Sequence, residues 1–173
     1  MGRRAFAILR RMGADVETND PRDEAGEPRA ELRVRTASLR GTDILPSEAP
    51  GAIDELPILC IAAALATGET TIAGAAELRV KESDRIAAME QLRLLGVPVR
   101  TTSDGLVIRG TGGRPLGSAR IDARGDHRIA MAFAIAGLVA PGGVVIADPE
   151  CADVSFPGFF TRLTELGAQV DPA

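Results

Sequence analysis

An α/β fold assembled from repeated units is what this sequence predicts, and three observations point to it. The segment Leu9-Arg-Arg-Met-Gly13-Ala-Asp-Val16 recurs as Leu92-Arg-Leu-Leu-Gly96-Val-Pro-Val99 and again as Leu163-Thr-Glu-Leu-Gly167-Ala-Gln-Val170. Each copy reads as a helix end, a glycine cap and a following strand. The likeness continues upstream. Asp54 opens an apolar run that ends at Ala66-Thr67-Gly68 and leads into Thr70-Thr-Ile-Ala. Asp126 opens another that ends at Ala140-Pro141-Gly142 and leads into Val144-Val-Ile-Ala. Asp54 stands 42 residues before Gly96 and Asp126 stands 41 before Gly167, so the two runs hold the same place in their units. Lastly, 173 residues with 45% apolar and 25% charged side chains suit one globular domain or two small ones.

The elements follow in order. Apolar spacing over Arg3 to Met12 predicts an amphipathic helix. Thr18–Pro28, crowded with Asp, Glu, Pro and Gly, predicts an exposed hairpin loop before a strand over Glu31–Thr36. A helix starting on Asp54 as an acidic cap has Pro57 in its first turn and Gly68 beyond its end. Its body is apolar all round, which places it mid-core and makes Cys60 a small buried apolar residue. The next helix begins at Ser83 or Asp84 and buries Ile86, Met89 and Leu92 or Leu95. Strands over Leu106–Arg109 and Ala119–Ile121 flank a loop at Gly110–Gly117. Asp126 then opens a core helix, and Asp153, with Pro157 as a first-turn proline, opens the last one.

Several function classes are excluded. The formal charge is −4 with no basic stripe, and all five aromatic residues are Phe, so nucleic acid is not an expected partner. The longest apolar stretch, Ile129–Ala140, is about twelve residues where a bilayer span needs roughly twenty, so no membrane is expected. Met1-Gly2-Arg3-Arg4 leads into an amphipathic pattern rather than a secretory leader. Cys60 and Cys151 have no metal-ligand spacing and suit a reducing, cytoplasmic setting.

The chemistry-bearing residues gather at helix starts. Among twenty basic residues only Lys81 is a lysine, and it precedes Glu82-Ser83-Asp84-Arg85. Arg128 follows Asp126 and His127, the one histidine, at the start of another helix. Cations there oppose the helix dipole, so they need an explanation. One reading is a set of surface ion pairs, Glu82 with Arg85 and Lys81 with Asp84, which stabilise little. The other is an anion site in which Arg and Lys take phosphate or carboxylate while Asp54 and Glu82 transfer protons. By local pattern Asp54 reads first as a simple cap, and His127 as a hydrogen-bonded structural residue with a general acid as the alternative.

Leu78-Arg-Val-Lys-Glu-Ser-Asp-Arg-Ile86 and Gly125-Asp-His-Arg-Ile-Ala-Met131 resemble the paired signatures of the 5-enolpyruvylshikimate-3-phosphate synthase family. Asp54-Glu-Leu-Pro-Ile and Ser155-Phe-Pro-Gly-Phe159 are similar to two further family segments, and the likeness runs from near residue 1 to about 170. The enolpyruvyl transferases acting on a UDP-sugar lack the Lys-Glu-Ser-Asp-Arg run. The resemblance implies repeated βαβαββ units forming part of an inside-out α/β barrel lobe. It implies that residues 1–173 are a carboxyl-terminal lobe: 1–50 the tail of an incomplete unit, 51–122 and 123–173 further units. It implies transfer of the enolpyruvyl group of phosphoenolpyruvate to the 5-hydroxyl of shikimate 3-phosphate, with release of phosphate and no metal or organic cofactor. Carried over by position, Asp54 and Glu82 are catalytic, Asp54 and Lys81 bind shikimate 3-phosphate, and Arg85 and Arg128 bind phosphoenolpyruvate. His127 has a less defined part beside them. Val154 stands where one branch of the family has Lys, and Glu77 where it has Asn. Family members are far longer, so the chain is expected to need an amino-terminal lobe as partner, to be inactive alone, and to expose an apolar edge that favours self-association. The alternative is a noncatalytic anion-binding or α/β scaffold fragment.

Overall fold

The structure, a computed structural model, describes residues 3–171. Helix α1 (Arg3–Arg11) leads into an antiparallel hairpin of β1 (Asp15–Glu24) and β2 (Glu27–Arg35). Then come β3 (Asp43–Ile44), α2 (Leu56–Leu65), β4 (Glu69–Ile72), α3 (Arg85–Met89), β5 (Val99–Thr101) and β6 (Leu106–Arg109). The chain closes with β7 (Ala119–Asp122), α4 (His127–Gly137), β8 (Val144–Ala147) and α5 (Phe159–Glu165). The middle sheet runs β3-β4-β6-β5: β3 and β4 are parallel, and the other neighbours are antiparallel. β7 and β8 form a parallel pair, joined through α4 as β3 and β4 are joined through α2. The repeated crossover expected from the two Asp-led runs is therefore present twice. β3 precedes residue 51 yet pairs in parallel with β4 beyond it.

The repeat glycines perform one task. Gly13, Gly96 and Gly167 have φ of +96°, +80° and +95°, a left-handed backbone that ends the preceding helix at no steric cost. After Gly13 and Gly96 a strand starts as expected. After Gly167 no strand forms among the described residues, because Ala168 to Asp171 has no sheet neighbour there.

The core centres on α2 and α4. Leu56, Leu59, Cys60, Ile61, Ala63 and Ala64 of α2 are buried, as are Ile129, Ala130, Ala132, Phe133 and Ala136 of α4. Small residues are frequent on both helices, and Phe133 of α4 is among the largest fully buried side chains. Phe133→Ala is expected to destabilise the fold by about 3–5 kcal/mol, seen as a lower urea midpoint at unchanged slope. Burial also pushes the Cys60 thiol up to about 12, so it should stay unmodified by thiol reagents until the protein unfolds.

Three expected boundaries differ. The segment expected as a loop over Thr18–Pro28 is mostly strand, turning only at Ala25-Gly26, and a bulge between Asn19 and Arg22 accommodates Pro21. Asp54 is not the cap of α2: it lies inside a 3-10 turn over Ala49–Glu55, and Glu55 is the residue that precedes the helix. Asp153 and Pro157 do not start α5. Pro149–Val154 is another 3-10 turn, and Gly158, with φ +76°, precedes α5 while its N–H donates to Asp153 Oδ1 at 2.9 Å.

Candidate functional site

Two short loops and two helix starts build the site. Lys81, Glu82 and Ser83 form the bend between a 3-10 turn (Ala76–Val80) and α3, with Asp84 capping α3 through Ala87 N at 3.0 Å. Arg79 anchors this bend: its guanidinium donates to Asp84 Oδ2 at 2.8 Å and to the carbonyls of Thr102 and Ser103 in the β5–β6 turn. Across from it, Asp126 caps α4 by accepting from Arg128 N at 2.9 Å. Arg124 and Gly125 just before it have φ of +56° and +68°. This paired left-handed turn swings the chain from β7 into α4. The 3-10 turn holding Asp54 completes the ring.

All five residues expected to carry the chemistry meet here. Arg85 Nη1 donates to Asp54 Oδ1 at 3.1 Å and Nη2 to Glu82 Oε2 at 2.5 Å. Lys81 Nζ lies 3.8 Å from Asp54 Oδ1 and 2.6 Å from Glu77. Arg128 Nη1 donates to the Asp54 carbonyl at 2.8 Å, and its Nη2 is 3.9 Å from Asp54 Oδ2. Asp54 is thus the focus of three cations from three separate segments. His127 takes the first position of α4, half-buried, beside this group. The expected Lys81–Asp84 pair does not form, because Asp84 is engaged by Arg79 and Lys81 turns to Glu77 and Asp54.

The puzzle of cations at helix starts resolves in side-chain geometry. α3 has only five residues before it tightens into a 3-10 turn over Glu90–Leu95, so its dipole is weak. Arg85 ignores that dipole and bridges to the other helix start: Nε reaches Asp126 Oδ2 at 2.8 Å and Nη2 reaches Asp126 Oδ1 at 3.3 Å. Both side chains are fully buried. Burial pulls the Arg85 guanidinium down, but the hydrogen bond and charge of Asp126, then Glu82, more than offset this and hold it above its usual range. Burial likewise pushes the Asp126 carboxyl up, and Arg85, the Ser83 hydroxyl and the Arg128 amide bring it net below the usual carboxylate range.

Asp126 is the residue that sequence reasoning passed over, reading it only as a helix opener. One carboxylate grips the inner edge of Arg85 and caps the helix carrying Arg128, so it fixes the separation of both arginines. The signal was its place at the start of a helix whose body from Ile129 onward is apolar, where a buried acid demands a buried partner. Asp54, Glu82, Lys81 and Arg128 keep 44%, 49%, 24% and 33% of their side-chain surface exposed, so the cluster is an open wall. Counted locally, three cations face the four carboxylates of Asp54, Glu77, Glu82 and Asp126. Arg85 and Lys81 are thus each already engaged by a carboxylate. Among the described residues no group of three His, Cys, Asp or Glu side chains is placed to hold a metal ion.

Comparison with known proteins adds the lineage. Residues 2–163 match the family model described as EPSP synthase (3-phosphoshikimate 1-carboxyvinyltransferase). The 3-phosphoshikimate 1-carboxyvinyltransferase of Desulforudis audaxviator is 52% identical over 159 residues, 91% of this chain and 37% of that protein. Its counterpart from Methylococcus capsulatus is 54% identical over 167 residues, 95% of this chain and again 37% of the relative. The chain therefore spans little more than a third of the curated relatives it matches. The EPSP synthase structure from Acinetobacter baumannii superposes with a TM-score of 0.93 at 39% identity, over 98% of this chain and 40% of that one. The enolpyruvyl transferase NikO from Streptomyces tendae, at 21% identity, shares the fold with a TM-score of 0.73 over 96% of this chain and 35% of its own.

Proposed function

Because this chain belongs to the EPSP synthase family, we propose that it forms one wall of a site transferring the enolpyruvyl group of phosphoenolpyruvate to the 5-hydroxyl of shikimate 3-phosphate, with release of phosphate. The observation that carries this reading is the convergence of Lys81, Arg85 and Arg128 on Asp54, with Glu82 on the same guanidinium. Residues 1–50, 51–122 and 123–173 are read as successive units of a carboxyl-terminal lobe, with β3 as the strand by which the first hands over to the second. A cytoplasmic setting is part of the proposal, supported by two free cysteines and by the absence of a described helix long and apolar enough to cross a membrane.

In the addition step the 5-hydroxyl oxygen bonds to C2 of phosphoenolpyruvate, its proton passes to Asp54, and Glu82 delivers a proton to C3. A tetrahedral adduct results. In the elimination step Glu82 takes a proton back from the C3 methyl group, the C2–C3 double bond re-forms, the C2–O bond to phosphate breaks, and the departing phosphate carries away the proton that Asp54 had taken from the hydroxyl. Arg85 has the geometry for the enolpyruvyl donor: Asp126 fixes its inner edge, and Nη1 and Nη2 present an outer edge that exchanges Asp54 and Glu82 for a ligand carboxylate or phosphate. That exchange also frees both carboxylates for proton transfer. Arg128, half-exposed, supplies a second donor, and Lys81 faces the phosphate of shikimate 3-phosphate. Two unit charges about 4 Å apart repel by about 4 kcal/mol at an effective dielectric of about 20, so two anionic substrates need more cations than this wall offers. The length of the family fold that this chain does not span is the source assigned to them.

A scaffold reading has one observation in its favour: the charged helix starts already satisfy each other. Titration of the chain with phosphoenolpyruvate and with shikimate 3-phosphate separates the two. Saturable binding that weakens at least tenfold in Arg128→Ala supports the proposed site. Absence of binding to either anion, even with an amino-terminal lobe added, favours the scaffold.

A further inference from the structure

The two segments that carry the arginines of the site run past each other in opposite directions and are tied at three levels. On one side, α3 and its 3-10 continuation bring Arg85, Gln91 and Leu95; on the other, the chain through β7 into α4 brings Asp126, Asp122 and Gly117. Gly117 N donates to the Leu95 carbonyl at 2.9 Å. At the middle level the Gln91 side chain takes both backbone groups of Asp122. Its Oε1 accepts from the Asp122 N–H at 2.8 Å, and its Nε2 donates to the Asp122 carbonyl at 2.9 Å. Nε2 also donates to the Ala88 carbonyl on its own helix at 3.1 Å. The buried Arg85–Asp126 pair forms the last level. Among the described residues β7 has β8 as its one strand neighbour, so the Gln91 amide stands where the backbone of a second neighbour would bond.

From Asp122 the hold passes up the turn. Its Oδ1 accepts from Arg124 N at 2.9 Å, which fixes the first of the two left-handed residues, and Asp126 N donates to the Ala123 carbonyl at 3.0 Å. Asp126 then caps α4 at Arg128 N and grips Arg85, which closes the ring on the helix where it began. We propose that Gln91 and Asp122 are positioning residues. They fix the β7–α4 turn against α3, and so set the geometry of the Arg85–Asp126 pair and the separation of Arg85 from Arg128. That this separation serves phosphoenolpyruvate rests on the function proposed above; the mechanical link does not.

Two features separate this tie from an ordinary surface hydrogen bond. Gln91 spends a donor and an acceptor of one planar amide on the N–H and carbonyl of a single residue, which fixes sliding as well as separation. The ring is also short: Gln91 lies six residues after Arg85, and Asp122 four before Asp126, so a shift at one end reaches the other. A buried ion pair holds only while its geometry is good. Misplacement of a binding group by about 1 Å can cost on the order of 10²-fold in rate, so a remote tie of this kind has a functional consequence.

The test reads the buried pair directly in the whole chain. The Arg85 Nε proton, donated to Asp126, is followed by hydrogen exchange in NMR spectra and assigned by its loss from the double variant Arg85→Met with Asp126→Leu. Gln91→Met keeps the length of the side chain without its bonds. In it the Arg85 proton should exchange about tenfold faster while the α2 amides keep their parent rates. Asp122→Ala, at an exposed position, should act in the same way, and Asp122→Asn, which still offers Arg124 N an acceptor, should restore slow exchange. Unchanged Arg85 exchange in Gln91→Met and Asp122→Ala overturns the proposal. So does equal acceleration of the α2 amides, which would make both residues general contributors to stability. In phosphate release with an amino-terminal lobe added, Gln91→Met should raise KM for phosphoenolpyruvate about tenfold and KM for shikimate 3-phosphate by less than about twofold. An equal rise in both KM values counts against positioning of the arginines. If the parent mixture releases no phosphate, the proposed function fails, and the exchange rates still decide the positioning.

Discussion

Glu82→Gln is expected to lower kcat by about 10²- to 10⁴-fold in the enzyme completed by an amino-terminal lobe, with KM for both substrates within a few-fold. The amide keeps the size of the side chain and still reaches Arg85, so binding geometry survives. What it cannot do is give a proton to C3 and recover it. Glu82 is suited to that task because it sits half-exposed on the bend before α3, held by one guanidinium at 2.5 Å rather than sealed in the core. A split in which KM rises and kcat holds would reassign Glu82 to binding. Turnover within twofold of the parent would remove it from the mechanism.

The second large effect concerns Asp126. Asp126→Ala leaves the buried Arg85 charge without its inner partner, and truncating one member of a buried pair costs about 3–5 kcal/mol. Loss of the α4 cap adds about 1 kcal/mol. The acid dependence has a defined sign. The folded Asp126 carboxyl lies below its unfolded range, so its stabilisation is fully present above about pH 3.9 and is lost as pH falls through the folded value. Urea titrations of the parent should therefore show a steeper acid loss than those of Asp126→Ala. The double change Arg85→Met with Asp126→Leu separates architecture from function. Apolar replacement of a buried pair is often neutral or better, so stability should largely return. Phosphoenolpyruvate binding should not return. Recovery of both would mean that Arg85 serves only the fold.

Much of this was legible in the sequence because glycine and periodicity leave unambiguous marks. The three repeat glycines, the all-apolar α2, the apolar body of α4 and the strand Leu106–Arg109 follow directly from backbone freedom and burial. The hairpin was not legible: Asp, Glu, Pro and Gly over Thr18–Pro28 carry loop propensity, yet cross-strand hydrogen bonding and a bulge at Asp20-Pro21 override it. Asp54 does lie beside Lys81, Arg85 and Arg128, but inside a 3-10 turn rather than at a helix cap. Local pattern does not separate a cap from a 3-10 turn that runs on into a helix at Leu56. The partnership of Arg85 with Asp126 joins positions 41 residues apart, and only the packing of α3 against α4 makes it visible. That packing also accounts for Arg85 at a helix start, because its charge is matched by buried Asp126, while Arg128 at the other start turns to the Asp54 carbonyl.

The central claim, that this chain supplies one wall of a two-walled site, is tested most directly by phosphate release. Phosphoenolpyruvate and shikimate 3-phosphate are offered to the chain alone, to a separately expressed amino-terminal lobe of a relative, and to the two mixed. Release in the mixture only, with the enolpyruvyl ether of shikimate 3-phosphate as co-product, is the predicted result. Release by the chain alone would contradict it, since the three cations around Asp54 would then suffice for both anionic substrates.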